Sequence, residues 1–167
     1  MMYGDFAYFY DKLMYDLDYE KIYKFIKELL GEKSIEPKLI LEMACGTGGL
    51  TEKIAKDYKL HAFDLSDDML SVCENKIRSK NLKLFKQNMA GFSAPSTYDA
   101  IISVGDSLNY VTDTKDFEAA IKSTYDHLME DGIFIFDLNT EYKFKNIPPV
   151  TVDASATNLP RQCSSYS

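Results

Sequence analysis

Residues 38–57 read KLILEMACGTGGLTEKIAKD: an apolar run, a turn with glycines at 46, 48 and 49, and a helical pattern. A run of strand length carrying one acid, Glu42, suits a strand buried on both faces rather than one with a wet side. The same alternation then recurs. KLHAFD reads as extended. SDDMLSVCENKIRSK opens on a Ser N-cap, Ser66, and sets Met69, Leu70, Cys73 and Ile77 on one helical face. LKLFKQN is a short strand and YDAIISV a continuously apolar one. TKDFEAAIKSTYDHLM places Phe117, Ala120, Ile121, Leu128 and Met129 at helical spacing, and DGIFIFDLN is a turn followed by a very apolar strand. Ahead of this series, Ile22, Phe25, Ile26, Leu29 and Leu30 mark an amphipathic helix that Gly31 is expected to stop. Strands that alternate with helices need right-handed crossovers, which predicts a doubly wound α/β fold with a mostly parallel, Rossmann-like sheet.

A chain of 167 residues with 46% hydrophobic content is long enough for one domain with a real core. Its formal charge of −7 disfavours nucleic acid or an anionic membrane as the main partner. Cys45, Cys73 and Cys163 are widely spaced without a CxxC, so neither a metal site nor a disulfide framework is expected. No apolar run approaches the ~20 residues that span a bilayer, and the acidic, tyrosine-rich start has no charged n-region of a signal peptide. A cytoplasmic setting is the expectation.

In open α/β sheets, ligands bind beyond the carboxyl ends of the strands, where the strand order reverses. The turn at 46–49 is so placed, and its glycines remove the Cβ atoms that would keep a ligand off the backbone. A dinucleotide fingerprint, G-x-G-x-x-G counted from Gly46, fails at Thr51, and the Gly-Lys-Ser/Thr ending of a P-loop is absent. Phosphate is therefore not favoured. Asp64, 18 residues after Gly46, suits a carboxylate accepting from ribose hydroxyls. Two acids around a glycine turn suit a nucleoside with a cationic substituent, such as S-adenosylmethionine (SAM) with its sulfonium and ammonium.

These motifs resemble those of the class I SAM-dependent methyltransferases, from the N-terminus to about residue 145. LEMACGTGGLT is similar to the family's first motif, with Ala44 in place of its first glycine. FDLSDDML resembles the second, KQNMAGF the stretch that cups adenine, YDAIISVGDSLNYV the fourth strand with its loop, and LMEDGIFIFDLNT the fifth-strand motif. FAYFYDKLMYDLDYE is similar to the lead-in of a small bacterial cytoplasmic subgroup.

The resemblance implies a five-stranded sheet of order 3-2-1-4-5, with the family's C-terminal hairpin missing. It implies a SAM-binding domain over 1–145 with a helical lead-in, while residues 146–167, poor in charge and with three prolines, read by composition as an atypical, flexible tail. Cofactor contacts are implied from Glu42, Ala44, Cys45, Gly46, Gly48, Asp64, Leu65, Met69, Asn88, Met89, Gly105 and Asp106. Met89 packs on adenine in this reading, and the amide oxygen of Asn88 accepts from its amino group. SAM carries its own activated methyl, so no obligatory base is required. Asp106 and Tyr110 are the candidates by position should the acceptor have to lose a proton. His61 and His127 are read as structural, and Tyr8, Tyr10 and Tyr15 as packing residues that could also form a lid. The expected function is methyl transfer to a small molecule. The alternatives are a SAM-binding module without turnover and, less favoured, an NAD-binding Rossmann domain. The fifth strand is expected to be an exposed edge that promotes self-association.

Overall fold

In the computed structural model, the described residues are 17–140 and Lys145. The lead-in with Tyr8, Tyr10 and Tyr15, the tail 146–167 and Cys163 lie outside them. The elements are α1 (Tyr19–Glu32), β1 (Leu39–Met43), α2 (Thr51–Asp57), β2 (Lys59–Asp64), α3 (Asp67–Lys76), β3 (Leu82–Lys86), β4 (Tyr98–Ser103), a 3-10 turn (Ser107–Tyr110), α4 (Thr114–His127) and β5 (Leu128–Phe136). The strands form one sheet of order β3-β2-β1-β4-β5, and every pairing is parallel. This is the doubly wound parallel sheet expected from the alternation, in the strand order that the resemblance implies.

Side chains alternate across the sheet with period two. Ile40, Leu60, Ala62, Ala100 and Ile102 face one side, where Tyr23, Ile26 and Leu30 of α1 and Ile54 and Ala55 of α2 cover them. Leu41, Met43, Phe63 and Ile101 face the other side with Phe92 and Tyr98. There α4 lies close enough for the Thr124 hydroxyl to point at the Met43 sulfur at 3.7 Å. Glu42 shares the parity of Ile40 and so faces the α1–α2 side. The start of β1 is pinned by the Asp99 carboxylate of β4, which accepts from Lys38 N at 2.8 Å and Leu39 N at 2.9 Å.

Three local expectations are corrected. Gly31 does not end α1, which runs on to Glu32, and Ser34 takes the left-handed turn instead, at φ 54°. The buried stripe of α1 is Tyr23, Ile26 and Leu30, leaving Phe25 exposed. Tyr23 is drawn inward because its hydroxyl donates to Asp57 Oδ2 of α2 at 2.6 Å, with Lys27 Nζ 3.3 Å from the same oxygen. Burial and then this bond hold the Tyr23 hydroxyl well above the usual phenol range. Leu128 and Met129 belong to β5 and not to α4. Leu128 pairs with Tyr98, a register shift follows, and Ile133 pairs with Ala100. The expected Asp131–Gly132 turn is absorbed into this irregular strand, with Asp131 at φ 64°.

Two side-chain tethers fix the helices to their neighbours. His127 Nδ1 donates to Ser123 O at 2.8 Å and its Nε2 accepts from Ala94 N at 3.0 Å, which assigns the tautomer. The Tyr23–Asp57 bond ties α1 to α2. Replacing Tyr23 by Phe keeps the ring packing and removes this bond, so urea unfolding should show a loss of about 1 kcal/mol. An unchanged midpoint and slope would refute the tether.

Candidate functional site

The sheet order reverses at β1, which has β2 on one side and β4 on the other. The segments leaving β1 and β4 therefore diverge and open a crevice at their carboxyl ends. After β1 the chain passes through Ala44 at φ 53°, Gly46 at φ 54° and Gly48 at φ 84° before entering α2. After β4, Gly105 at φ 79° and Asp106 at φ 64° make a second left-handed pair. Two such turns facing each other leave backbone exposed on both sides of the crevice.

Asp64, the last residue of β2, fastens the first turn. Its Oδ2 accepts from Gly46 N at 2.8 Å and its Oδ1 from Ser66 N at 2.9 Å. A carboxylate has about four lone-pair sites, so Asp64 retains acceptor capacity toward the cavity that it lines. Ser66 in turn caps α3, its hydroxyl accepting from Met69 N at 3.3 Å. Asp137, just beyond β5, fastens the second turn. Its carboxylate accepts from Gly105 N at 3.0 Å and Asp106 N at 3.1 Å. Asn109 completes this edge, accepting from Asn139 N at 2.9 Å and donating to Asp106 O at 3.2 Å.

The resulting cleft has two connected parts, sharing Ala44, Gly46, Gly105 and Ser107. The larger, about 520 Å³, is walled by Phe63, Asp64, Leu65, Met69, Asn88, Met89 and Tyr110, among others. The smaller, about 40 Å³, is bounded by Leu17, Tyr19, Glu42, Cys45 and Val104, among others. Among the described residues, neither part has a Lys, Arg or His in its lining. Among the described residues, a groove of about 550 Å³ elsewhere is lined only by residues 18–28. Its described walls come from α1 and its cap, with no convergent groups from a second described element.

Glu42 is 4% exposed, and its Oε2 has no hydrogen-bond partner. Loss of hydration pushes its carboxyl up to about 8, so it is mostly neutral at pH 7. Ser103 likewise keeps a buried hydroxyl without a partner.

Most of the residues expected at the site converge on this cleft: Glu42, Ala44, Cys45, Gly46, Asp64, Leu65, Met69, Asn88, Met89, Gly105 and Tyr110. Gly48 and Asp106 are not among its walls. A Cβ on Gly48 would lie 2.5 Å from Cys73 Sγ and 2.7 Å from Ile77 Cδ1, so this glycine serves close packing of the turn on α3. Asp106 contributes its backbone to the turn clamped by Asp137. Asn88 Oδ1 already accepts from Ala90 N at 3.0 Å. Met89 both lines the cleft and packs on the core beneath it. His61 and His127 lie outside the cleft, His61 Nδ1 being 2.9 Å from the Tyr98 hydroxyl.

Several walls were missed in the sequence. Tyr19 lies flat on the turn, leaving no room for a Cβ on Gly49, which would come within 2.3 Å of its ring. Gln87 and Val111 also line the cleft. The bare glycine pair Gly48–Gly49 was the available signal, since a Gly at a tight turn invites a large neighbour.

Ala44 holds a left-handed conformation that costs a non-glycine residue about 1–2 kcal/mol. Gly would relieve it at an entropic cost of about 0.5–1 kcal/mol. Ala44→Gly should therefore stabilise the chain by up to about 1 kcal/mol in chemical unfolding, and a destabilised variant would show that the turn differs.

The family described as "Methyltransferase domain" matches residues 40–132, the segment that carries both turns. A protein of Geobacillus sp. (strain WCH70), whose name assigns it provisionally to the methyltransferases, is 33% identical over 88% of this chain and 61% of its own length. The dTDP-3-amino-3,4,6-trideoxy-alpha-D-glucopyranose N,N-dimethyltransferase of Streptomyces venezuelae is 27% identical, over 67% of this chain and 47% of its own. The crystal structure of an S-adenosylmethionine-dependent methyltransferase from Clostridium acetobutylicum ATCC 824 superposes with a TM-score of 0.76 at 41% identity. That match covers 87% of this chain and 61% of that one, so the chain spans about three-fifths of the length of such relatives. With the strand order, the two glycine turns and the paired acids in their places, the chain belongs to the class I SAM-dependent methyltransferase family.

Proposed function

We propose that this chain binds SAM in the cleft between β1 and β4 and takes part in methyl transfer to a small-molecule acceptor. The observation that carries this reading is an acid at each end of a cleft whose described walls hold no basic side chain. Asp64 stands in the larger part, suited to ribose hydroxyls, and Glu42 in the smaller, suited to the amino-acid end of the ligand. The backbone N–H that a pyrophosphate would need at Gly46 is already taken by Asp64, which supports SAM over NAD.

The larger part is of a size for an adenosine group, with Leu65, Met69 and Met89 offering apolar contact and Asn88 a polar edge. Bound SAM supplies an electrophilic methyl on a sulfonium. The chain's contribution is to orient that ligand and keep water from it. Its two clamped turns suit this task, because Asp64 and Asp137 set the backbone on either side before any ligand arrives. Tyr110, 84% exposed at the rim, is placed to meet an acceptor, and we assign it that contact rather than proton transfer. Asp106 is the weaker candidate, since its side chain is not among the walls. The small-molecule acceptor is supported by the amino-sugar methyltransferase among the relatives.

No helix among the described residues is long and apolar enough to cross a membrane, and Cys45 and Cys73 are free thiols. A cytoplasmic setting accords with both. We also read β5 as a surface for pairing with a second copy. Among the described residues it is bonded on one side alone, and Met129, Phe136 and Leu138 are 49%, 45% and 42% exposed. Sedimentation should show a concentration-dependent dimer that Phe136→Lys disperses, and a monomer at all concentrations would end that reading.

Calorimetric titration with S-adenosylhomocysteine tests the cofactor site. Micromolar binding is expected, with NAD inert. Asp64→Ala should weaken it by about 100-fold or more, since two charge-assisted bonds and the clamp on Gly46 are lost together. Binding with methyl transfer to no acceptor would favour a SAM-binding module without turnover. Tight NAD binding would replace the reading altogether.

A further inference from the structure

The small part of the cleft borders a buried, unsatisfied carboxyl oxygen. Glu42 Oε2 is buried and unpartnered, and it borders a space of about 40 Å³, enough for a group the size of ammonium or a water or two. The remaining described walls, among them Leu17, Tyr19, Cys45, Leu50 and Val104, carry no basic group. Among the described residues, none supplies a counter-charge to an ionised carboxylate there. The cation of a ligand would supply it.

The surroundings set the direction. From α2, Thr51 lies against Glu42 and favours its charged form. Asp64 from β2 and Cys73 from α3 oppose a second negative charge, and burial opposes it most. Tyr19 from the start of α1 and the 104–107 segment after β4 complete the walls without a cation. An acid so enclosed holds its proton until a positive charge arrives.

We infer that Glu42 is a proton-exchange site within the cofactor cleft: neutral in the free protein, it releases its proton to solvent when the α-ammonium of an S-adenosyl ligand enters the small cavity. The cation takes over the place of the proton, and the O–H bond broken at Glu42 yields one hydrated proton and no other product. This deepens the proposed SAM site and rests on it. Two consequences follow from linkage. Binding is stronger at higher pH, because the ligand no longer competes with a bound proton. The free protein behaves in the opposite way. The folded state holds the Glu42 proton more tightly than the unfolded chain, so its stability is fullest below about pH 4.5 and is lost as pH rises toward 8.

The test is titration of the whole chain with S-adenosylhomocysteine at pH 6 and pH 7, each in buffers of differing ionisation heat. Release of nearly one proton is expected, with affinity about tenfold higher at pH 7. Methylthioadenosine, which lacks the amino-acid end, should bind without proton release and without this pH dependence. Glu42→Gln mimics the neutral acid and should fold. It should bind S-adenosylhomocysteine without releasing a proton, and its melting temperature should no longer fall between pH 5 and pH 8. S-adenosylhomocysteine bound with equal affinity at both pH values and no buffer dependence would overturn the inference while leaving the cofactor site intact. Proton release by methylthioadenosine, or by the Glu42→Gln variant, would also overturn it. Absence of binding by the folded chain at either pH would remove the cofactor site and the inference with it.

Discussion

Strand β1 bonds to β2 along one edge and to β4 along the other, and its residues from Ile40 to Met43 are at most 4% exposed. The rest of the molecule is arranged around that burial. Both faces of β1 must be covered, so α1 and α2 pack on the Ile40 side and α4 with Phe92 on the Leu41 side. Both edges are used, so the connections leave in opposite directions and the crevice between them cannot close. One acid in this strand, Glu42, is thereby forced into the interior with the turn of the site directly above it.

The cleft depends on two carboxylates that face away from one another in sequence yet do the same job. Asp64 fastens the turn after β1 and Asp137 the turn after β4, each by accepting from two backbone amides. Left-handed residues such as Ala44 and Asp106 would relax without such partners. Charge-assisted bonds to N–H groups are among the stronger polar interactions, and here they hold the walls in place before any ligand binds. The cost falls on Glu42, which has no comparable partner for Oε2 and therefore keeps its proton.

The fold was legible because burial on both faces imposes apolar runs, and crossovers impose helical patterns between them. The turn at 46–49 and Asp64 were legible because few chemistries need glycines and an acid at those spacings. Other features were hidden for physical reasons. Tyr23 and Leu128 depend on partners 34 and 30 residues away, Asp57 and Tyr98, and no local period records such pairings. Gly48 looked like a ligand contact, yet it answers to Cys73 and Ile77 of α3. Asp106 looked like a side chain at the site, yet the chain uses its backbone.

By itself, then, the sequence determined the succession of strands and helices, the parallel sheet and the position of the glycine turn with its flanking acids, since each follows from local pattern and residue chemistry. Only the tertiary structure decided which acids are clamps and which is enclosed with an unpartnered oxygen. It also decided that Tyr19 lines the cleft and that Asp137 clamps one of its turns. The reason is that a carboxylate's role depends on what surrounds it in space: two amides hold Asp64 as a working acceptor, while enclosure without a cation leaves Glu42 neutral and waiting for one.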